Sequence, residues 1–107
     1  MDESQAISAL AALAHPMRIR VFRALVAAGR EGLTPGALQQ QLEVPATTLS
    51  FHLKELSNAG LATSERASRN LVYRAEYAHM NALLAYLTEN CCQGAACATT
   101  TAADCRC

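Results

Sequence analysis

The hydrophobic period of this chain changes after Gly60, and this change limits the folds that the chain can adopt. Before this glycine, two short segments with helical spacing, residues 34–42 and 46–58, meet at Val44-Pro45. Thr34-Pro35 provides a cap and a first turn for the first segment, and Gly60 suits the left-handed stop that follows the second. The apolar face of the second segment is predicted from three leucines: Leu49, Leu53 and Leu56.

After Gly60 the pattern becomes strand-like. Two short runs, Leu61 to Arg66 and Leu71 to Glu76, are separated by the polar tetrad Ala67-Ser68-Arg69-Asn70 and predict a β-hairpin. Two short helices joined by a tight turn and followed by a hairpin form a winged helix-turn-helix, in which the second helix enters the major groove. The sequence therefore predicts a mainly α fold with a small β-hairpin.

Three further helices flank this unit. One spans about residues 4–14, with Ser4 as its cap, and ends where His15-Pro16 disfavours helix. The next runs from Pro16 to about Ala28, and the last from Tyr77 to about Asn90. We expect one domain over residues 1–90 and a cysteine-rich tail over residues 91–107. The predicted apolar stripe of the second helix is Ile19, Phe22, Leu25 and Val26.

Charge is unevenly distributed in a chain whose formal net charge is zero. Residues 18–74 carry eight basic and four acidic side chains, a net charge of +4, and the remainder carries −4. Such a division allows a basic surface to face phosphates while an acidic one lies elsewhere. Ordinary surface charge is the alternative explanation of this asymmetry.

The five cysteines all lie in the last seventeen residues: Cys91, Cys92, Cys97, Cys105 and Cys107. No apolar run approaches the ~20 residues that span a membrane, and the acidic start Met1-Asp2-Glu3-Ser4 lacks the features of a signal peptide. We therefore expect a cytoplasmic protein with no membrane partner. Because cytosolic thiols stay reduced, these cysteines are interpreted as ligands or reactive groups rather than disulfides.

The polar side of the second helix of the predicted motif is the candidate base-reading surface. Its short hydroxyls and imidazole can contact base edges or phosphates, while a lysine near its end suits a phosphate. Phe51 interrupts this surface; we expect it to pack against the preceding helix, and contact with a thymine methyl is the alternative. His52 is either a DNA contact or a boundary residue hydrogen-bonded within the domain. The predicted DNA-binding residues are Thr47, Thr48, Ser50, His52, Lys54 and, in the hairpin loop, Arg69.

Three segments together resemble the ArsR/SmtB metalloregulators, over about residues 5–90. They are residues 13–25 (LAHPMRIRVFRAL), residues 48–56 (TLSFHLKEL) with the following Ala59-Gly60-Leu61, and Arg69-Asn70 before Val72-Tyr73-Arg74. The resemblance implies a homodimer joined through the first and last helices. It also implies that the apo protein represses transcription from double-stranded operator DNA and that metal binding releases it. The expected interface residues are Ile7, Leu10, Met80, Leu83, Leu84 and Leu87.

Members of this family differ in where the inducer binds. Residues 33–44 hold no cysteine, so the arsenic site with a Cys-x-Cys pair before the reading helix has no counterpart here. The last helix offers Glu76, His79 and Glu89 without a second histidine, which disfavours the zinc site of other members. The tail, in contrast, resembles the subgroup of arsenic repressors with a vicinal cysteine pair and one further cysteine. That resemblance implies a metalloid site formed by Cys91, Cys92 and Cys97.

Soft trivalent arsenic prefers thiolate sulfur, and the expected inducer is therefore As(III), with no organic cofactor. Cys105 and Cys107 are assigned at most an auxiliary role. Three alternatives stay open: a repressor that senses Sb(III) or a methylated arsenical, a zinc, cadmium or thiol-redox sensor, and a thiol enzyme or metalloid carrier. The last is disfavoured because the chain has no Cys-x-x-Cys motif, phosphate-cradling loop or acid–base constellation. We therefore expect that it is not an enzyme.

Overall fold

The computed structural model describes residues 1–91. Cys92, Cys97, Cys105 and Cys107 lie outside these described residues, so the predictions made for them are not addressed by the fold. The order of helices and strands agrees with the predicted winged helix-turn-helix. The elements are α1 (Glu3–Leu13), α2 (Pro16–Ala28), a 3-10 turn (Gly29–Glu31), α3 (Pro35–Leu42), α4 (Ala46–Asn58), β1 (Ala62–Ala67), β2 (Asn70–Ala75) and α5 (Tyr77–Leu87).

The N-terminal caps explain where α1 and α3 begin. The cap of α1 is Asp2, and the prediction of Ser4 is wrong by two residues. Asp2 accepts a hydrogen bond from the backbone N–H of Gln5 at 2.7 Å, and the Gln5 side chain accepts one from the N–H of Asp2 at 3.0 Å. Ser4 could not form this reciprocal pair because Ile7, three residues on, has no polar group. Thr34 caps α3 as predicted, with Oγ1 accepting from the N–H of Ala37 at 3.2 Å.

The core forms where α2 packs against α1, α3, α4 and β2. The prediction of Ile19 in the buried stripe of α2 is wrong, because its side chain is 43% exposed while Val21 is fully buried. Which residues of α2 are buried depends on the elements that pack around this helix on several sides. The spacing of its hydrophobic residues alone does not specify them. The three leucines of α4 are buried as predicted, and the largest fully buried side chains are Val21, Leu25, Leu38, Leu49, Leu53, Leu56 and Leu61.

The hairpin, or wing, has a tighter turn than the predicted four-residue loop. β1 and β2 pair antiparallel out to Ala67 and Asn70, leaving Ser68 and Arg69 at the tip. A third strand contact was not predicted: Leu33 exchanges two backbone hydrogen bonds of 2.8 and 2.9 Å with Tyr73. This bridge attaches the wing to the segment that leads into α3.

The last helix packs on α1 and α2. The Tyr77 hydroxyl donates a hydrogen bond of 2.8 Å to the carbonyl oxygen of Val26, and Leu83 is buried in the core. Four large apolar side chains of α1 and α5 remain exposed by between 43% and 57%: Ile7, Leu10, Leu84 and Leu87. Within residues 1–91 no helix is long and apolar enough to cross a membrane.

Candidate nucleic-acid interface

The exposed side of α4 carries most of the predicted DNA contacts. Thr47, Thr48, Ser50 and Lys54 are all exposed, while the leucines of the same helix are buried. The helix begins after Pro45, which forms no side-chain cap, and its first three residues are small: Ala46, Thr47 and Thr48. This arrangement leaves short hydroxyl groups accessible at the N-terminal half of the helix, the part that contacts base edges in helix-turn-helix proteins.

Phe51 lies on this exposed side, and the expectation that it packs against the preceding helix is wrong. Its side chain is 53% exposed. The neighbour of the ring is Arg18 of α2, whose guanidinium carbon is 5.3 Å from the ring centroid, within the range of a cation–π contact. Arg18 contacts one part of the Phe51 ring, and the remainder of the ring is accessible to solvent.

His52 is buried, with only 4% of its surface exposed, and it faces α2 rather than solvent. Its Nδ1 accepts a hydrogen bond of 3.2 Å from Nε of Arg18, and its ring centroid is 4.6 Å from that of His15. This placement corrects the assignment of His52 as a DNA contact and agrees with the alternative, a boundary histidine bonded within the domain. The reason is geometric, because His52 is one helical turn from Leu49 and Leu56 and shares part of their inward direction.

The environment of His52 disfavours its charged form. Burial lowers the pKa of His52 from its ordinary value of 6.5, and the nearby His15 and Arg18 lower it further, while Glu55 acts in the opposite direction. The neutral imidazole is therefore the form that accepts the Arg18 hydrogen bond at neutral pH. Arg18 was not predicted as a functional residue. The one feature of the sequence that indicates a role for it is its position in the first turn after His15-Pro16, where α1 meets α2.

The three arginines of the wing occupy different positions. Arg69 is exposed at the tip, as predicted, and Arg66 is exposed on β1. Arg74 instead points back to the body: its Nε donates a hydrogen bond of 2.7 Å to the carbonyl oxygen of Arg30, and its Nη1 is 3.8 Å from Oε1 of Glu65. Arg74 thus orients the wing, and Arg69 is the better candidate for a phosphate. The DNA contacts themselves stay predictions.

A recess of about 640 Å³ opens beside the exposed face of α4. Its walls come from the start of α2, the turn between α3 and α4, and the first turns of α4. Val44, Pro45 and Phe51 contribute apolar surface, and Thr47 and Thr48 contribute hydroxyl groups. The recess therefore combines apolar and hydrogen-bonding surface at the position where the helix would meet base edges.

Cys91 is the one predicted thiol ligand within the described residues. It is half-buried and follows α5, and its backbone N–H donates a hydrogen bond of 3.0 Å to the carbonyl oxygen of Thr88. The preceding Asn90 has a φ of 59°, so the chain leaves the helical direction before Cys91. Within residues 1–91 no three His, Cys, Asp or Glu side chains come together in a way that could hold a metal ion.

The predicted dimer residues divide into two groups. Ile7, Leu10, Leu84 and Leu87 are exposed and available to a partner, and Met80 is half-buried. Leu83, in contrast, is 4% exposed and belongs to the core of the single chain, so it leaves almost no side-chain surface for a partner. Sequence periodicity places all of these residues on two helices but does not separate the inner from the outer side.

Comparison with known proteins agrees with the winged helix-turn-helix fold described above. Residues 13–65 match a family model described as a helix-turn-helix domain. The HTH-type transcriptional regulator YgaV of Escherichia coli is 30% identical over 88 residues, covering 82% of this chain and 87% of YgaV. An ArsR-like transcriptional regulator from Rhodococcus sp. RHA1 has a TM-score of 0.71 and 28% identity, covering 78% of this chain and 76% of its own.

A third similar protein is the transcriptional repressor BigR from Xylella fastidiosa, whose crystal structure has a TM-score of 0.61 and 29% identity and covers 84% of this chain and 90% of its own. The fold and the exposed face of α4 together define a winged helix-turn-helix DNA-binding protein. The chain belongs to the ArsR family of transcriptional regulators. Because members of this family regulate transcription, the prediction that the chain is not an enzyme is confirmed.

Proposed function

We propose that the chain is a homodimeric repressor of an arsenic-resistance operon, which leaves its operator when As(III) binds Cys91, Cys92 and Cys97. The observation that carries this proposal is the position of Cys91, four residues after the end of α5 and directly after the left-handed Asn90. A ligand held there acts on the end of the helix that also presents Leu84 and Leu87 to a partner. In this proposal residues 1–90 bind DNA and dimerise, and residues 91–107 bind the metalloid in the cytoplasm.

The exposed apolar side chains of α1 and α5 support a homodimer. Four large apolar residues on two helices that contact each other are an unusual surface for a small monomer. Removal of such residues from water contributes about 25 cal/mol for each Å² of apolar surface, against which the entropy lost on association is subtracted. A twofold-symmetric dimer would place its two reading helices at half-sites about 34 Å apart, one turn of the DNA helix.

The chemistry of the donor set supports As(III). Arsenous acid reacts with three thiols to form three As–S bonds, and its three hydroxyl groups leave with the three thiol protons as water. No net proton is released, so we expect the affinity for As(III) to change little between neutral and mildly acidic pH. A divalent cation, in contrast, must displace thiol protons into solution, and its affinity rises with pH. Soft sulfur ligands favour soft centres in either case.

Release from DNA follows from a coupling between the end of α5 and the dimer interface. A small shift of α5 in each protomer changes the angle between the two reading helices and moves them out of register with their half-sites. A coupling free energy of about 1–3 kcal/mol lowers DNA affinity by about 5- to 150-fold. The same coupling means that operator DNA weakens As(III) binding by an equal factor.

The test is fluorescence anisotropy of a labelled duplex taken from upstream of the chain's own gene. Arsenite is titrated into the reduced protein–DNA complex in a buffer free of added thiols, because a dithiol would compete for arsenic. We expect release by arsenite, and loss of this response in Cys91→Ser, Cys92→Ser and Cys97→Ser. Cys105→Ser and Cys107→Ser are the matched controls and are expected to respond like the original chain.

Five further titrations distinguish the alternative inducers. Antimonite and methylarsenite test the related metalloids; because methylarsenite needs only two sulfurs, Cys97→Ser should still respond to it. Cadmium, zinc, and peroxide in metal-free buffer test the other sensor types. A complex that survives arsenite but releases with one of these ligands contradicts the arsenic assignment and leaves the family assignment intact.

A further inference from the structure

We propose that Phe51 is a specificity-determining residue that recognises the methyl group of a thymine in the major groove. The inference deepens the proposed function and rests on its premise that α4 binds DNA. It develops the alternative that stood open for Phe51 in the sequence, because the expected packing against the preceding helix is wrong. The contact is between an apolar side chain and an apolar group of a base, with no hydrogen bond.

The Phe51 side chain is exposed on the face of α4 that carries the predicted DNA contacts. More than half of the Phe51 side chain, 53%, is accessible to water, in the middle of a helix whose other large apolar residues are buried. Three exposed residues lie three or four positions away on the same side of the helix and are among the predicted DNA contacts: Thr47, Thr48 and Lys54. An aromatic ring at this position becomes dehydrated when the helix enters a groove, and the loss of water favours an apolar partner.

Two neighbouring side chains restrict the orientation of the Phe51 ring. The guanidinium of Arg18 is 5.3 Å from the ring centroid of Phe51, and the ring of His52 meets it edge-on at a centroid distance of 5.7 Å. Arg18 is in turn held by the Nδ1 of His52 at 3.2 Å. Two neighbours that are themselves bonded to each other therefore restrict the ring, so less side-chain entropy is lost when Phe51 contacts a base.

The chemistry of the Phe51 ring indicates which group of the DNA it contacts. A phenyl ring has no hydrogen-bonding group, which excludes phosphate oxygens and the polar edges of bases as favourable partners. The thymine C5-methyl is the apolar group that the four bases present in the major groove. Val44 and Pro45 extend the apolar surface beside Phe51, and the side chain of Glu43 lies at the same recess and would repel a phosphate. The surface thus suits a methyl group on a base edge rather than the backbone.

The experiment compares thymine with uracil, which differ by this methyl group alone. A duplex is first selected from a random-sequence library by the full-length chain and then resynthesised with each thymine replaced in turn by deoxyuridine. We expect uracil at one position of each half-site to lower the affinity of the original chain by about three- to tenfold per half-site, the scale expected for one buried methyl group. Phe51→Ala should bind the thymine and uracil duplexes equally.

Two other variants serve as controls. Lys54→Ala, on the same helix, should weaken binding to both duplexes by the same factor and keep the preference for thymine. Phe51→Leu, which stays apolar and exposed, should keep part of the preference and shows that the effect does not come from misfolding. Equal binding of both duplexes by the original chain, an unchanged preference in Phe51→Ala, or selected half-sites without thymine would each overturn the proposal.

The outcome is separable from that of the proposed function. A missing thymine preference with intact release by arsenite overturns the role of Phe51 alone. A clear thymine preference that depends on Phe51, without release by arsenite, supports the role of Phe51 and contradicts the proposed inducer.

Discussion

Nε of Arg18 donates a hydrogen bond of 3.2 Å to Nδ1 of His52, and this contact joins the start of α2 to the reading helix α4. The bond requires Nδ1 to be unprotonated, so the neutral His52 carries its proton on Nε2. Nη1 of Arg18 also lies 3.5 Å from the carbonyl oxygen of Ala12 near the end of α1. One half-buried arginine therefore connects a helix with exposed apolar residues to the helix that faces DNA.

The first prediction concerns pH. The pKa of His52 is lower in the folded chain than its ordinary value of 6.5, because of burial and of the facing His15 and Arg18, with Glu55 opposing them. The unfolded chain therefore takes up a proton more readily, and the free energy of unfolding decreases as pH falls below about 6.5 and through the folded-state pKa of His52. Urea denaturation at pH 7.5 and 5.5, at one protein concentration, measures this decrease.

His52→Asn is the matched variant for this measurement, because its amide oxygen can still accept from Arg18 but does not titrate. We expect a smaller loss of stability between the two pH values in His52→Asn than in the original chain. Equal losses in both proteins would show that His52 is not the group responsible.

The second prediction concerns the attachment of the wing. Gly32 has a φ of +66°, and a Cβ there would lie 2.8 Å from Cγ1 of Val72 and from Cγ of Arg74. Gly32→Ala should lower the free energy of unfolding by about 3 kcal/mol, combining backbone strain with overpacking. Gly29 has a similar φ of +69° with nothing within 4 Å of an added Cβ, so Gly29→Ala meets backbone strain alone and should cost about 1–2 kcal/mol.

Gly36→Ala completes this series. Gly36 lies in the first turn of α3, and an added Cβ would be 4.0 Å from the Thr34 hydroxyl, so the substitution should be neutral or stabilising by up to about 1 kcal/mol. Thermal or urea denaturation of the three variants gives the order. A loss in Gly32→Ala no larger than that in Gly29→Ala would contradict the close contact with β2.

The third prediction separates the arginines of the wing. Arg69→Gln should reduce the magnitude of the slope of log affinity against log salt by about 1.8 for the proposed dimer, because each of the two protomers loses one phosphate contact worth about 0.9. Arg74→Gln should instead lower the free energy of unfolding by about 1 kcal/mol, because its hydrogen bond to Arg30 is lost. Anisotropy at several salt concentrations, together with denaturation, measures both effects. An unchanged slope in Arg69→Gln would remove Arg69 from the interface.

The fourth prediction concerns the proposed dimer. A charge at Ile7 or Leu84, which are 57% and 54% exposed, would be buried without a partner in an interface formed by α1 and α5. Ile7→Glu and Leu84→Glu should therefore sediment as monomers and lose DNA affinity. Leu71→Glu, at a 36% exposed leucine of the wing, is the control and should remain dimeric. A dimer that survives both substitutions would place the interface elsewhere.

Much of the fold can be predicted from the sequence because local chemistry sets the elements. Thr34-Pro35 predicts the start of α3. The three leucines and Gly60 predict α4 with the bounds that the structure has, Ala46–Asn58. The polar tetrad after Arg66 predicts the hairpin, although pairing continues one residue further on each strand than expected. These signals act over a few residues, so they can be read without knowing what the helices pack against.

The order of the helices, the hairpin and the polar side of α4 follow from the sequence, since these depend on caps, turns and hydrophobic period. The packing of the helices against each other sets which side chains near the edge of each helical face are buried. Phe51 and His52 are adjacent, yet one is exposed and the other is buried against Arg18, thirty-four residues earlier. The bridge between Leu33 and Tyr73 is equally non-local. Such contacts depend on how α1, α2 and the wing pack together, and no local pattern of residues specifies that packing.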